Sequence, residues 1–229
     1  MSKIAVAVLN RKGGVGKTTV SVILSQIALV RRNKVLAIDL DPSRNFSDAL
    51  GFMKNYFKAS LRIKDTLEDD DAGAPEEWII IDCPPNLDEA SKHAIDFADI
   101  IVVPVRPDFF SLSNLGVMYS IAKRAGKERA QLPLVKVGYD SSSMSKIANQ
   151  LIAEREYPVA EELPLHKRIP YNITSGLVWS TGLTAISRQP YEKLYEKILK
   201  AVDRLQDGIA TISEVWTERK EEESNDEID

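Results

Sequence analysis

Apolar residues in this chain fall into blocks that alternate between two spacings. Short, nearly continuous runs at Lys3–Leu9, Lys34–Asp39, Trp78–Asp82, Asp99–Val105 and Leu134–Tyr139 predict strands buried on both faces. Between them, Thr18–Arg31, Leu87–Phe97, Ser111–Ala125 and Met144–Glu156 carry apolar positions at helical spacing. This alternation predicts an α/β fold, a parallel twisted sheet with helices on both faces. Residues 42–77 read as the longest irregular stretch, with Asp69–Pro75 favoured as a solvated loop over a metal site on its three adjacent aspartates. The clearest stripe is Tyr191, Leu194, Tyr195, Ile198, Leu199, Val202 and Leu205, a core-packing helix with Pro190 expected in its first turn. No apolar run approaches the length needed to span a membrane.

The first strand and the first helix are joined by Lys12-Gly13-Gly14-Val15-Gly16-Lys17-Thr18-Thr19. Strand, glycine loop and helix are the context in which such a pattern binds phosphate. Glycines let successive N–H groups turn inward, and the helix points its positive end at the same place. Residues 13–19 are therefore the candidate nucleotide-binding loop. Lys17 would reach the β- and γ-phosphates of ATP, and the Thr18 hydroxyl would ligate Mg²⁺. Two later strands end in carboxylates. Asp39 and Asp41 are spaced i, i+2 and share a face at the end of one strand; Asp82 ends another. In open α/β sheets ligands collect at these carboxyl ends. Asp82 would hold Mg²⁺ through water.

Lys12 is not required by an ordinary phosphate loop. Written KGGVGKTT, and followed by Asp39-Leu40-Asp41-Pro42 and Asp82-Cys83-Pro84-Pro85, the chain resembles the ParA/MinD family of deviant Walker A P-loop ATPases. The likeness runs over roughly residues 3–205. It implies a sandwich homodimer formed on ATP, in which Lys12 reaches the partner's nucleotide. It also implies that Asp41 positions or polarises the attacking water, with Lys12 and Lys17 as the other catalytic groups and Asp39 near the metal with Thr18 and Asp82. Asp99–Pro107 looks like the family's next strand, and Asp108–Leu115 like the loop near the adenine. Ile169-Pro170-Tyr171-Asn172 is similar to its I-P-R-N segment, with Tyr171 in place of Arg. After Asp-Pro the family often has Gln and Gly, whereas this chain has Ser43 and Arg44. Among members, the short ParA-type partition ATPases are most similar. They imply an ATPase that binds DNA non-specifically, is stimulated by a ParB-type centromere-binding protein, and works in the cytoplasm on the nucleoid. The alternatives are a MinD-like membrane-cycling ATPase and a metabolic P-loop synthetase.

Composition refines this. The single cysteine, Cys83, excludes an internal disulfide and fits a reducing compartment. With two histidines it makes no transition-metal cluster. The net charge of −4 is unevenly placed: residues 213–229 hold eight acids and two bases, so residues 1–212 carry +2. The expected division is an ATPase domain over 1–212 and an acidic, disordered tail over 213–229. An acidic end disfavours an anionic membrane, unlike the basic lipid-binding helix that ends MinD proteins. The last long helix also carries Lys193, Lys197, Lys200 and Arg204 along one line, which could follow a DNA phosphate backbone. Glu192, Glu196, Asp203 and Asp207 lie alongside, so an ordinary solvated helix face, with Glu196 paired to Lys200, is the favoured alternative. A second basic group, Lys123, Arg124, Lys127 and Arg129, follows a helix and could complement its C-terminus or touch DNA. Trp179 is either buried or an interface contact.

Overall fold

The computed structural model describes residues 3–165, 185–209 and 211–216. The Ile169–Asn172 segment, Trp179 and the chain beyond Trp216 lie outside the described residues. Seven parallel strands form one sheet: β1 (Ile4–Val8), β2 (Val35–Asp39), β3 (Leu61–Lys64), β4 (Trp78–Asp82), β5 (Ile100–Val105), β6 (Leu134–Val137) and β7 (Val159–Leu163), in the order β3-β2-β4-β1-β5-β6-β7. β1 sits between β4 and β5, with Ile4 beside Trp78 and Val6 beside Ile100.

Strand alternation divides the apolar residues into two cores. Val6, Val8, Ala37 and Ile80 face α1 (Lys17–Val30), α2 (Asn45–Gly51) and the stripe of α7 (Ala185–Gln206). Ala7, Leu9, Ile38 and Ile81 face α3 (Glu89–Phe97), α5 (Leu115–Arg124) and α6 (Ser143–Glu154). The near-continuous β-branched runs of β4 and β5 follow from this double burial. α1 is apolar almost all round because it lies between the sheet and α7.

Several expectations need correction. Residues 42–77 are not irregular. They hold α2, β3 and a 3₁₀ turn over Asp69–Gly73, in which Asp71 is buried and accepts from Lys64 Nζ at 2.8 Å. The helix expected over Ser111–Ala125 is two, α4 (Phe109–Ser113) and α5, divided at Asn114, with Asp108 accepting from the Ser111 N–H to cap α4. α7 begins at Ala185, so Pro190 lies inside it and not in its first turn. Glu196 pairs with Arg31, which follows α1, and not with Lys200. The packed body also runs past residue 212. A short helix, α8 (Ile212–Trp216), buries Val215 and Trp216, and the Trp216 indole donates to the Ala130 carbonyl at 2.6 Å. Any tail therefore starts no earlier than residue 217. No helix among the described residues is long and apolar enough to cross a membrane.

Candidate nucleotide site

The glycine loop leaves β1 at the centre of the sheet, where the neighbouring strands lead the chain away in opposite directions. That is the crevice in which open α/β sheets hold ligands. Gly14 (φ 73°) and Gly16 (φ 105°) take the left-handed conformation, which glycine adopts without penalty. Val15 between them is buried and anchors the loop, while Gly13 and Gly14 stay exposed. Asn10 fixes the entry. Its buried amide donates to the Pro104 carbonyl of β5 at 2.7 Å, and its oxygen accepts from the Lys12 N–H at 2.9 Å. Nothing in the glycine pattern pointed to Asn10; only its place between strand and loop could have.

Lys17 is buried, and its Nζ makes a long bond of 3.3 Å to the Lys12 carbonyl. Among the described residues, no carboxylate lies within ion-pair distance of it. Burial pushes the Lys17 amine below its usual range, opposed by the more distant charges of Asp82 and Asp41. A buried lysine beneath a glycine loop, with no close counter-charge among the described residues, fits a phosphate chain.

Asp39 and Asp82 are register partners on β2 and β4. Asp82 accepts from the Thr18 hydroxyl at 2.7 Å and from the Ser21 hydroxyl at 2.8 Å. Burial pushes its carboxyl up to about 7, and these two hydroxyls pull against that shift. A carboxylate and a threonine hydroxyl in contact beside a phosphate loop are the oxygen donors Mg²⁺ takes, so the residues fit the ion. Asp39 is turned to a structural task as well. It accepts the Asp41 N–H at 3.2 Å and the Ser47 N–H at 2.7 Å, which ties the first turn of α2 to the strand end. Asp41 is partly exposed on the same side, accepting from the Ser43 N–H at 2.9 Å. Arg44, one of the departures from the family pattern, adopts φ 54° at the start of α2 and pairs with Asp65 at 3.1 Å.

Lys12 stands at the rim. Its Nζ bonds Asp108 Oδ1 at 2.5 Å and lies 5.9 Å from the Phe110 ring centre. Phe109 and Phe110 beside it are 69% and 68% exposed, an apolar surface next to the loop. A mainly apolar cleft of about 210 Å³ opens on the other side, from Gly14, Gly16 and Thr19 toward Arg106, Val137 and Leu165. It could take a flat base. The segment Asp108–Leu115, expected near the adenine, does not line it; Asp108 is spent on Lys12 and on capping α4. Gly138 (φ 68°) passes close behind Leu165 of this cleft, since a Cβ there would lie 2.9 Å from that of Leu165.

A family model described as an AAA domain matches residues 2–74. The chromosome partitioning protein ParA of Caulobacter vibrioides is 28% identical over 155 residues, 48% of this chain and 58% of that protein. The chain thus spans little more than half the length of that relative. The chromosome-partitioning ATPase Soj of Thermus thermophilus is 25% identical over 86% of this chain and 96% of its own length. These likenesses support a ParA/MinD-type P-loop ATPase. The family's fold matches too: an ATP complex of a Cyanothece McdA variant superposes with a TM-score of 0.71 at 18% identity, covering 87% of this chain and 97% of that one.

The basic line expected on α7 is only half available. Lys197 donates to the Ala160 carbonyl at 2.9 Å and pairs with Glu161 at 3.1 Å, fastening α7 to β7. Arg204 donates to the Glu214 and Val215 carbonyls at 2.7 and 2.8 Å, closing α8. Lys193 and Lys200 remain exposed. A continuous phosphate track along these four residues is therefore not what the helix offers.

Proposed function

We propose that this chain binds ATP·Mg²⁺ on residues 13–19, closes into a homodimer across that face, and holds DNA without reading its sequence until hydrolysis opens the dimer. The observation that carries the reading is Lys12, a cation at the rim of the nucleotide loop, held by Asp108 beside two exposed phenylalanines. In this reading Lys12 leaves Asp108 for the second chain's nucleotide, and Phe109 and Phe110 are covered by that chain. Lys17 and the loop N–H groups neutralise the phosphates, while Thr18 and Asp82 hold the ion, directly or through water, with Asp39 alongside. Mg²⁺ would draw charge from the phosphate oxygens. Asp41, partly exposed past the end of β2, orients the attacking water. Because this chemistry is mainly positioning, turnover by the dimer alone is slow, and a ParB-type partner would speed it. The names of the Caulobacter and Thermus relatives support a chromosome-partition role.

The test is DNA binding with ATP, with ADP and without nucleotide, across a salt series. Binding to unrelated sequences that needs ATP and weakens with salt is expected. Asp41→Ala should keep ATP binding, lose about 10²-fold in turnover and accumulate the dimer. Wild-type turnover in that variant would remove Asp41 from the mechanism. Binding to anionic vesicles, with none to DNA in any nucleotide state, would transfer the chain to the MinD-like reading.

A further inference from the structure

A second basic surface lies between α5 and α6, around a groove of about 610 Å³. Its floor is aromatic. Tyr119 and Tyr157 stack with ring centres 4.8 Å apart, and the Arg129 guanidinium lies 5.5 and 5.3 Å from the two centres. The Tyr119 hydroxyl donates to the Leu132 carbonyl at 2.6 Å, which fixes that ring. Lys123, Arg129 and Arg155 line the groove with exposed side chains. Lys127 also lines it but is half-buried and donates to the Ala98 carbonyl. Glu128 also lines the groove, but its carboxylate is held in the cap of the 3₁₀ turn Arg129–Gln131. Three outward cations therefore share a groove whose lining acid is already engaged.

The same 3₁₀ turn anchors the last described helix. Trp216 is buried and bonded to the Ala130 carbonyl, and Arg204 pins the Glu214 and Val215 carbonyls. The chain thus leaves the body at a fixed point, one residue away from Arg129. Beyond that point, residues 217–229 carry seven acids and two bases, a balance of −5. Thirteen residues can span at most about 45 Å when extended, enough to pass round the turn and cross the groove. Tethering gives such a segment an effective concentration in the millimolar range, so individually weak charge contacts are enough.

We infer that the acidic segment 217–229 docks in the groove over Tyr119 and Tyr157 and neutralises Lys123, Arg129 and Arg155. Charge and tether favour this occupant: the segment's balance of −5 opposes three outward cations, and it leaves the body beside Arg129. Other polyanions must displace the segment before they reach these cations. Docking of this segment is independent of the proposed role in partition.

Disulfide trapping in the full chain tests it, because the native Cys83 is buried and out of reach. Arg155→Cys is combined with Ser224→Cys. Lys54→Cys with Ser224→Cys, at the exposed far edge of the sheet, is the control. Under oxidised glutathione at low salt the first pair should close at least about tenfold faster than the control. That advantage should vanish at 1 M salt, where the screening length is about 3 Å, and in the Lys123→Glu, Arg129→Glu background. Equal rates for the two pairs, or an advantage indifferent to salt, would overturn the inference. So would a Cys at position 155 that alkylates equally fast with and without residues 217–229 and is shielded only by added DNA; the groove would then belong to nucleic acid.

Discussion

Asp82 shows how much of the site rests on single contacts. Its carboxyl is buried against its own preference for charge, and the hydroxyls of Thr18 and Ser21 make that tolerable. Thr18 was legible from the loop pattern; Ser21 was not, because a lone serine in an apolar helix says nothing about what it faces. It lies one turn beyond Thr18, on the same side of α1, and that spacing was the available signal. Ser21→Ala leaves Asp82 Oδ1 without its partner. The variant should lose about 1–3 kcal/mol of stability and bind Mg·ATP more weakly, as read by urea denaturation and nucleotide titration. An unchanged denaturation midpoint would show that Ser21 is not a support for Asp82.

At the scale of elements, the long strands and helices were readable because double burial and amphipathic packing leave strong periodicities. The pieces between Pro42 and Trp78 were not. α2 is short and is tied down by Asp39, and β3 is a four-residue edge strand in which Arg62 and Lys64 interrupt the apolar pattern. Those two cations are absorbed by Glu76 and by Asp71, contacts no local pattern announces. Asp71 gives this corner a pH signature. Burial alone would raise its carboxyl, but bonds from Lys64 Nζ and the Glu68 N–H outweigh that and hold it below the ordinary carboxylate range. Its contribution is therefore complete above the unfolded value, near 3.9, and is lost as pH falls through the folded one. Asp71→Asn should cost about 1–3 kcal/mol at neutral pH, a deficit that shrinks below about pH 4. Urea denaturation of both proteins at pH 7 and pH 3 measures it; an equal deficit at both would mean that charge is not the cause.

For the whole molecule, the sequence foretold a parallel sheet with helices on both faces but not its strand order, which is set by long-range pairing alone. Nor did it foretell the exposed pair Phe109 and Phe110, since an apolar dipeptide after a strand reads as core. Their exposure beside Lys12 argues for a second chain on this face. Phe110→Asp should weaken ATP-dependent dimerisation by about 2 kcal/mol, roughly thirtyfold, in sedimentation experiments, while each monomer still takes up ATP. A dimer of undiminished strength would place the interface elsewhere.

The position of β1 in the middle of the sheet has a consequence for how the molecule comes into being. Its two neighbours, β4 and β5, begin at Trp78 and Ile100, so a ribosome makes the glycine loop long before it makes the strands that steady it. Until Asp82 and Pro104 have been added and have left the exit tunnel, Thr18, Ser21 and Asn10 lack the partners that shape the site. The growing chain therefore carries its nucleotide motif before it has the means to use it, and gains them only once β4 and β5 have joined β1.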